Sequence, residues 1–564
     1  MVLGKEQVGV LPASFAAILV GLFTFYAGQE SAPLRFALDD AYLYHAFAAN
    51  SSLGAFFKYS LFDAGSNGCT SLLYYLLLTV LYGVVRLVTG DWHSHFVPAA
   101  ITVTFVLHTV TYVVFAFLVA RSVSRAVPNA FIQFAMTVFI LFNGSLYYIF
   151  FSGIEGPLSL LLAFFAFESI RTAKLGRLAI ILFFMGLHRP DFAFGALLFA
   201  IVMFVLYRPA SLGLRIGLVL APLIGLAIVF LANLIGTSSP LPNSLARTAV
   251  QGVDLEASRS LAAFILSQLK PGELARRLLV LLTLINPAIT PYTGFWATGI
   301  AKQGGISWVG VYIAAMAALS LPYMLYCLAT LRSALWPFNR ARLALIAFPV
   351  CLVSLFLVIG GRGEFARYIV PSFVIWTLAI LELARQRPPS ERLFAGGPRW
   401  LPTAIVALMA LGSLGPAVED VGNTSRFLRQ VHFAVAESVA RLAEGAPKRL
   451  SLGTWETGVI NMRLTGVVHV VDLYGLGTAR YRSLPFPPAP DRADLFFREK
   501  IDYIAQYVDR TGVSNYQDIF LDQLRQKGAK VTAVTTVSAP ENRFINHPLY
   551  PHAMTLYRVK YPTP

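Results

Sequence analysis

The chain reads as a polytopic α-helical membrane protein of roughly eleven spans, with juxtamembrane helices on the outer face and a C-terminal α/β soluble domain. Three observations lead there. Hydrophobic residues fill 56% of the 564 positions and charged ones 13%, with mean hydropathy +0.64, a balance that suits lipid rather than water as the main solvent. Apolar runs of membrane-spanning length recur through the first three quarters of the chain. From Ala417 onward the runs shorten and become polar, which places the domains at 1–416 and 417–564.

The formal charge of +16 does not indicate nucleic acid, because the Lys and Arg residues cluster in short loops between apolar runs, as cytoplasmic loops do. Cys69, Cys327 and Cys351 form no CxxC pair, so neither a disulfide framework nor a zinc site is implied. Only Lys5 precedes the first apolar run, Leu11 to Ala27, and no small-residue cleavage site follows it; it reads as a retained span.

Basic residues then orient the chain. Arg121 and Arg125 follow the run Pro98 to Ala120; Arg171, Lys174 and Arg177 follow Leu158 to Ile170; Arg208 and Arg215 separate Phe192 to Tyr207 from Ile216 to Ile235. Arg332, Arg340 and Arg342 follow Ile306 to Leu331, and Arg385, Arg387, Arg392 and Arg399 follow Tyr368 to Leu383. With these loops in the cytoplasm, residues 29–97, 152–157, 188–191, 236–305 and 361–367 face outward, as does the C-terminal domain. The N-terminus is in and the C-terminus out. Ser71 to Val88 and Leu278 to Pro291 do not fit that count as spans and are expected to lie on or re-enter the outer face. Leu178 to Leu187 is short for a span; either it breaks at its outer end near Pro190 or the count is wrong there.

In the C-terminal domain, Ser425 to Glu444 has the pattern of an amphipathic helix. Short β-rich runs follow at Arg449–Leu452, Val467–Leu473, Ile501–Val508, Lys530–Val537 and Met554–Tyr561, with polar or helical segments at Asp491–Glu499 and Tyr516–Gln526. The Pro-rich run Leu484 to Pro490 is an extended loop.

Five polar clusters fall on the outward face. Asp39 and Asp40, followed by Tyr42, Tyr44 and His45, lie just past the first span. A carboxylate there can act as general base on an acceptor hydroxyl or ligate a divalent cation, and it can equally cap a surface helix. Glu155 lies in Gly153-Ile-Glu-Gly-Pro157 between two apolar runs, where an acid is costly without a role although the glycines also suit a plain turn. His188-Arg-Pro-Asp191 sets a base, a cation and an acid at another outer helix end, and Asn243 opens the long outer loop with Arg247 one turn further on. Arg362, Arg367 and Tyr368 complete the set. The two arginines lie outside against the positive-inside trend, which calls for an anionic partner such as a lipid phosphate, or for headgroup anchoring by snorkelling.

Several of these stretches resemble, in order, signature stretches of bacterial GT-C glycosyltransferases. They are Leu38-Asp-Asp-Ala-Tyr-Leu-Tyr44 with Asn50, Gly68-Cys-Thr-Ser-Leu-Leu-Tyr74, Gly153-Ile-Glu-Gly-Pro-Leu158, Arg189-Pro-Asp191, Leu241-Pro-Asn-Ser244 and Arg367-Tyr-Ile-Val-Pro371. The pattern looks most like the branch with the mycobacterial terminal arabinofuranosyltransferases and related pilin and cell-envelope enzymes. Val470-Val-Asp-Leu-Tyr-Gly-Leu476 resembles that branch's soluble-domain pattern. Asp191 stands where the branch often has Glu, and Ile154 where it often has Met.

The resemblance implies a GT-C-like membrane domain and transfer of a sugar, arabinofuranose among the candidates, from a polyprenyl-phosphate donor to an acceptor glycan or protein. It also implies inversion at the anomeric carbon with Asp39 or Asp40 as base. The leaving phosphate would be stabilised by Arg367, Arg362 or Arg189, with no cofactor required and a divalent cation optional. The lipid tail would lie among the spans. Two rival readings are a lipid-linked-glycan transporter or flippase, which would carry buried charges within its spans, and an oligosaccharide polymerase or ligase.

Overall fold

Helix boundaries follow local capping chemistry. A computed structural model describes residues 36, 39–90, 96–206, 211–237, 239–240, 278, 281–286, 307–335, 339–359, 365–386, 401–456, 458–473, 478, 481, 490–508, 516–539 and 553–562. The expected first span, Asn243, Arg247, Arg362 and the Pro-rich run from 484 to 489 lie outside the described residues. For Asp39, Arg367 and Tyr368 the backbone alone is described.

The helices are α1 (Asp39–Ser52), α2 (Leu72–Thr89), α3 (Phe96–Ala126), α4 (Ala130–Leu141), α5 (Gly144–Phe151), α6 (Gly156–Arg171), α7 (Leu175–His188), α8 (Pro190–Leu206) and α9 (Leu212–Thr237). Further along the chain come α10 (Ser307–Leu335), α11 (Arg340–Ile359), α12 (Phe365–Gln386) and α13 (Leu401–Phe427). Ser71 caps α2 by accepting from the Tyr74 amide at 3.1 Å, and Gly90 ends that helix in the left-handed region at φ 64°. Asn129 and Asn143 cap α4 and α5 in the same way. Arg189 takes an extended conformation, as a residue before proline does, and Pro190 opens α8.

Five described helical stretches are long and apolar enough to cross a membrane: Leu72–Thr89, Val97–Ala126, Leu212–Thr237, Ala315–Leu335 and Ile369–Gln386. The pair α4 and α5, bent by 49°, makes a sixth if it is one broken span. The protein is a multi-pass membrane protein. Leu72–Thr89, expected on the outer face, thus has the length and composition of a span; hydropathy measures what a helix tolerates, not how deep it lies. Large side chains on these helices stay exposed, among them Val88 at 81% and Ile235 at 77%, as lipid-facing residues do.

The chain divides into two compact units. The first holds residues 1–27, 106–228 and 260–421. In it α8 packs on α11, α11 on α12, and α6 on α7, α11 and α12. Small residues allow the closest approaches: a methyl group on Gly186 of α7 would overlap the Pro222 carbonyl of α9, and one on Gly225 of α9 would overlap the Phe183 carbonyl. Aromatic edges fill the remaining seams, with Phe139 against Phe373 at 5.2 Å and Phe199 against Phe348 at 4.9 Å.

The second unit holds residues 28–105, 229–259 and 422–564. Here α1 packs against α2 and against α15 (Val459–Leu464) of the C-terminal segment. A π-helical segment, Leu428–Phe433, joins α13 to α14 (Ala434–Glu444). The sheet has order β2-β1-β3-β5-β4, with β1 (Ser451–Thr454), β2 (His469–Asp472), β3 (Tyr503–Val508), β4 (Lys530–Ser538) and β5 (Ala553–Lys560). β1 runs parallel to β2 and β3, while β5 runs antiparallel to β3 and β4. Helices α16 (Pro490–Glu499) and α17 (Tyr516–Gln526) cover it through Phe496, Phe520 and Leu524, packed with Trp455 and Ile504. All five expected strands are present, because period-2 runs between turn residues are a local signal, and the two segments read as polar or helical are helices.

Candidate active site

In the first unit, three chain segments converge on one buried arginine. Glu155 sits at the N-terminal boundary of α6, where Gly153 turns the chain at φ 80° and Pro157 starts the helix. Arg189 occupies the one extended residue between α7 and α8, and Asp191 lies in the first turn of α8, where the helix dipole favours an acid. Arg189 Nε donates to Asp191 Oδ1 at 2.8 Å, and Nη1 donates to Glu155 Oε1. Glu155, Arg189 and Asp191 are 2%, 7% and 8% exposed, so the trio is desolvated and its pairing is obligatory. Next to it His188 Nε2 and Ser159 Oγ share a hydrogen bond of 2.7 Å.

Glu155, Ser159 and Arg189 line a small pocket with Ile149, Ile154, Gly156 and Phe192. Beside that pocket two carboxyl groups share the one guanidinium. Asp191 Oδ2 has no hydrogen-bond partner among the described residues. Such a recess suits sugar hydroxyls better than a phosphate, since a guanidinium forked onto two carboxylates has little field left for a third anion. Among the described residues no three His, Cys, Asp or Glu side chains converge as a metal-ligand set. Glu155 and Asp191 instead share the Arg189 guanidinium.

In the second unit, α1 begins with the acid pair. Asp40 is exposed at its first turn. The neighbouring polar residues are tied into the fold. Tyr42 Oη accepts from the Phe36 amide at 3.0 Å and donates to its carbonyl at 3.1 Å. Tyr44 Oη bonds Thr70 Oγ1 at 3.0 Å and accepts from the Ser71 amide at 2.9 Å. His45 Nδ1 bonds Tyr82 Oη at 2.6 Å. These three therefore hold α1 in place, whatever else they touch.

Sequence reasoning missed two features. Ser159 stands one turn after Glu155 on the same helix, a spacing that puts both on one face and was available as a signal. Asp63 accepts from His469 Nε2 at 2.9 Å and Thr478 Oγ1 at 3.3 Å, partners about 400 positions away that no local pattern could reveal.

No protein-family model matches the sequence, and no curated protein matches it. Among solved structures the chain is similar to the Archaeoglobus fulgidus oligosaccharyltransferase AglB in complex with an inhibitory peptide and a dolichol-phosphate. That likeness has 12% identity and TM-score 0.47 over 90% of this chain and 70% of that one. It is also similar to ArnT from Cupriavidus metallidurans bound to undecaprenyl phosphate, with 12% identity and TM-score 0.42 over 97% of each chain. A third likeness is to the arabinofuranosyltransferase AftD from Mycobacteria, with 12% identity and TM-score 0.41 over 98% of this chain and 40% of that one.

Proposed function

We propose that the chain is an inverting glycosyltransferase that moves a sugar from a polyprenyl-phosphate donor to a hydroxyl of an acceptor glycan or protein on the outer face of the membrane, arabinofuranose being a candidate sugar. The observation that carries this reading is the buried Glu155–Arg189–Asp191 trio, of which Glu155 and Arg189 line a small pocket among apolar side chains. Ionised groups at such depth are costly without a role. The Glu155 carboxylate offers acceptor oxygens to sugar hydroxyls in that recess, and Arg189 orients it together with Asp191.

The step is a single displacement. An ionised Asp39 or Asp40 takes the acceptor proton while the acceptor oxygen bonds to the anomeric carbon. The bond from that carbon to the phosphate oxygen breaks, and the polyprenyl phosphate leaves with a second negative charge. General-base help is worth about 10² to 10⁴ in rate, and preorganised charge on the leaving group is usually the larger contribution. Arg362 and Arg367, cations on the outward side by the positive-inside reading, are the proposed phosphate ligands; Arg189 is secondary because two carboxylates already hold it.

Asp39→Asn and Asp40→Asn test the assignment in purified protein. At least one should lose transfer by about 10² or more while donor binding and folding persist. Near wild-type turnover in both would remove the acid pair from the chemistry.

A further inference from the structure

The acid-bearing helix α1 and the C-terminal segment belong to one compact unit, and specific polar contacts join them. Asn50, near the end of α1, donates from Nδ2 to the carbonyls of Lys58 at 3.0 Å and Tyr59 at 2.8 Å. Asn461 of α15 donates to that same Tyr59 carbonyl at 2.6 Å. Both asparagines are buried, at 0% and 1% exposure. A carbonyl with two lone pairs is thus shared between α1 and the C-terminal domain.

Four residues on, the domain grips the loop again. Asp63, 5% exposed, accepts from His469 of β2 and from Thr478, whose Oγ1 itself accepts from the Asp472 amide. Phe62 lies under the Arg449 guanidinium at 3.8 Å and edge-on to the His469 ring at 6.1 Å. Residues 59–63 are therefore clamped by α15, β2, Thr478 and Arg449, two residues before β1, while Asn50 links that clamp to α1. The contacts to α2, through His45 and Ser51, and to Thr70 just before it, through Tyr44, set the rotation of α1. The clamp sets its end.

We propose that the C-terminal sheet domain is a positioning element for the acid at the start of α1, acting through Asn461 and His469 on the 59–63 loop and through Asn50 on the helix. Asp40 stands ten residues before Asn50, ~15 Å along the helix, so a pivot of about 5° at the clamped end moves it by ~1.3 Å. A misplacement of about 1 Å at a reacting group can cost on the order of 10²-fold in rate. The kinetic consequence rests on the glycosyltransferase reading; the mechanical one does not.

The test uses the full-length protein in detergent micelles with Asn461→Ala, His469→Ala and His469→Gln. Amide hydrogen exchange is followed in residues 39–46 and 55–66, with β3 and β5 as internal controls. Turnover and donor affinity are measured separately. The proposal expects faster exchange in both segments for the two Ala variants and unchanged exchange in the sheet. It also expects turnover lower by ~10- to 100-fold at nearly unchanged donor affinity, with His469→Gln, which keeps a donor for Asp63, close to wild type. Unchanged exchange at 39–46 in both Ala variants overturns it, as does faster exchange there with full turnover. If the wild-type protein transfers no sugar, the glycosyltransferase reading fails, and the exchange at 39–46 alone upholds or overturns the positioning.

Discussion

Removing Arg189 should have a larger effect on the membrane unit than any other single truncation at the pocket. Its guanidinium is shared by Glu155 and Asp191, and all three residues are under a tenth exposed. Arg189→Ala leaves two carboxylates buried side by side with no cation between them, and breaking a buried pair in this way costs about 3–5 kcal/mol. Arg189→Lys keeps a charge but not the fork, and losing one charge-assisted hydrogen bond costs about 1.5–3 kcal/mol. Glu155→Gln leaves the Arg189–Asp191 pair matched and should disturb stability least, yet it removes a pocket carboxylate and should reduce transfer. Thermal unfolding in one detergent, read by intrinsic fluorescence at a fixed scan rate, ranks the three. With about 2–4 °C per kcal/mol for a domain of 150–250 residues, Arg189→Ala should fall by on the order of 10 °C. An Arg189→Ala midpoint within 2 °C of wild type would mean that the two acids do not depend on the arginine, and the argument for the trio would fail.

Other consequences can be checked independently. Gly186→Ala or Gly225→Ala should destabilise the α7–α9 seam by about 1–3 kcal/mol through overpacking, read as a lower unfolding midpoint, whereas Gly176→Ala, with open space around it, should not. Reporter fusions after Gln386 should read cytoplasmic and those after Gly422 external; an inward-facing C-terminal domain would displace the proposed chemistry from the outer face. Arg367→Lys should lose transfer almost as badly as Arg367→Ala if its fork holds the donor phosphate, with Arg362 the alternative ligand, and Lys tolerated at both positions would leave only membrane anchoring. Burial, and then the Asp502 and Glu499 carboxylates, raise the Tyr561 hydroxyl above the ordinary tyrosine value of 10.0. The folded state thus favours its neutral form, so its contribution to stability is complete below pH 10 and is lost as pH rises through the raised value. The tyrosinate absorbance missing from Tyr561→Phe should appear well above pH 10; a difference titrating at pH 10 would contradict the burial.

Legibility in the sequence depended on how local each signal was. The α/β pattern of the C-terminal domain was readable because Lys530–Ser538 and Ala553–Lys560 are flanked by turn residues and rich in β-branched side chains. The break at Pro190 was readable because proline forces the preceding residue out of the helix, and Arg189 does lie extended. Glu155 and the Arg189–Asp191 pair each stood out as charges between apolar runs. Their union was not readable, since it crosses 34 positions and depends on how α6 meets the α7–α8 junction.

Tyr42, Tyr44 and His45 show the opposite limit. As polar aromatic residues beside an acid pair they read as substrate contacts, whereas their hydroxyl and imidazole groups find partners inside the fold at Phe36, Thr70 and Tyr82. A buried polar group needs a partner wherever it sits, so polarity next to an acid does not by itself distinguish a ligand contact from a satisfied core residue. The clamp of Asp63 on His469 was invisible for a related reason: single polar residues hundreds of positions apart leave no periodic trace.

Sugar transfer by the purified protein tests the central claim most directly. Incubated with a panel of synthetic polyprenyl-phosphate sugars and acceptor glycans, wild-type protein should move one sugar of the panel to a hydroxyl with inversion at the anomeric carbon and release polyprenyl phosphate in equal amount. Asp39→Asn or Asp40→Asn should abolish both products together. Release of polyprenyl phosphate without glycoside, a product with retained configuration, or no transfer from any monosaccharide donor while a diphosphate-linked oligosaccharide is accepted would contradict the account.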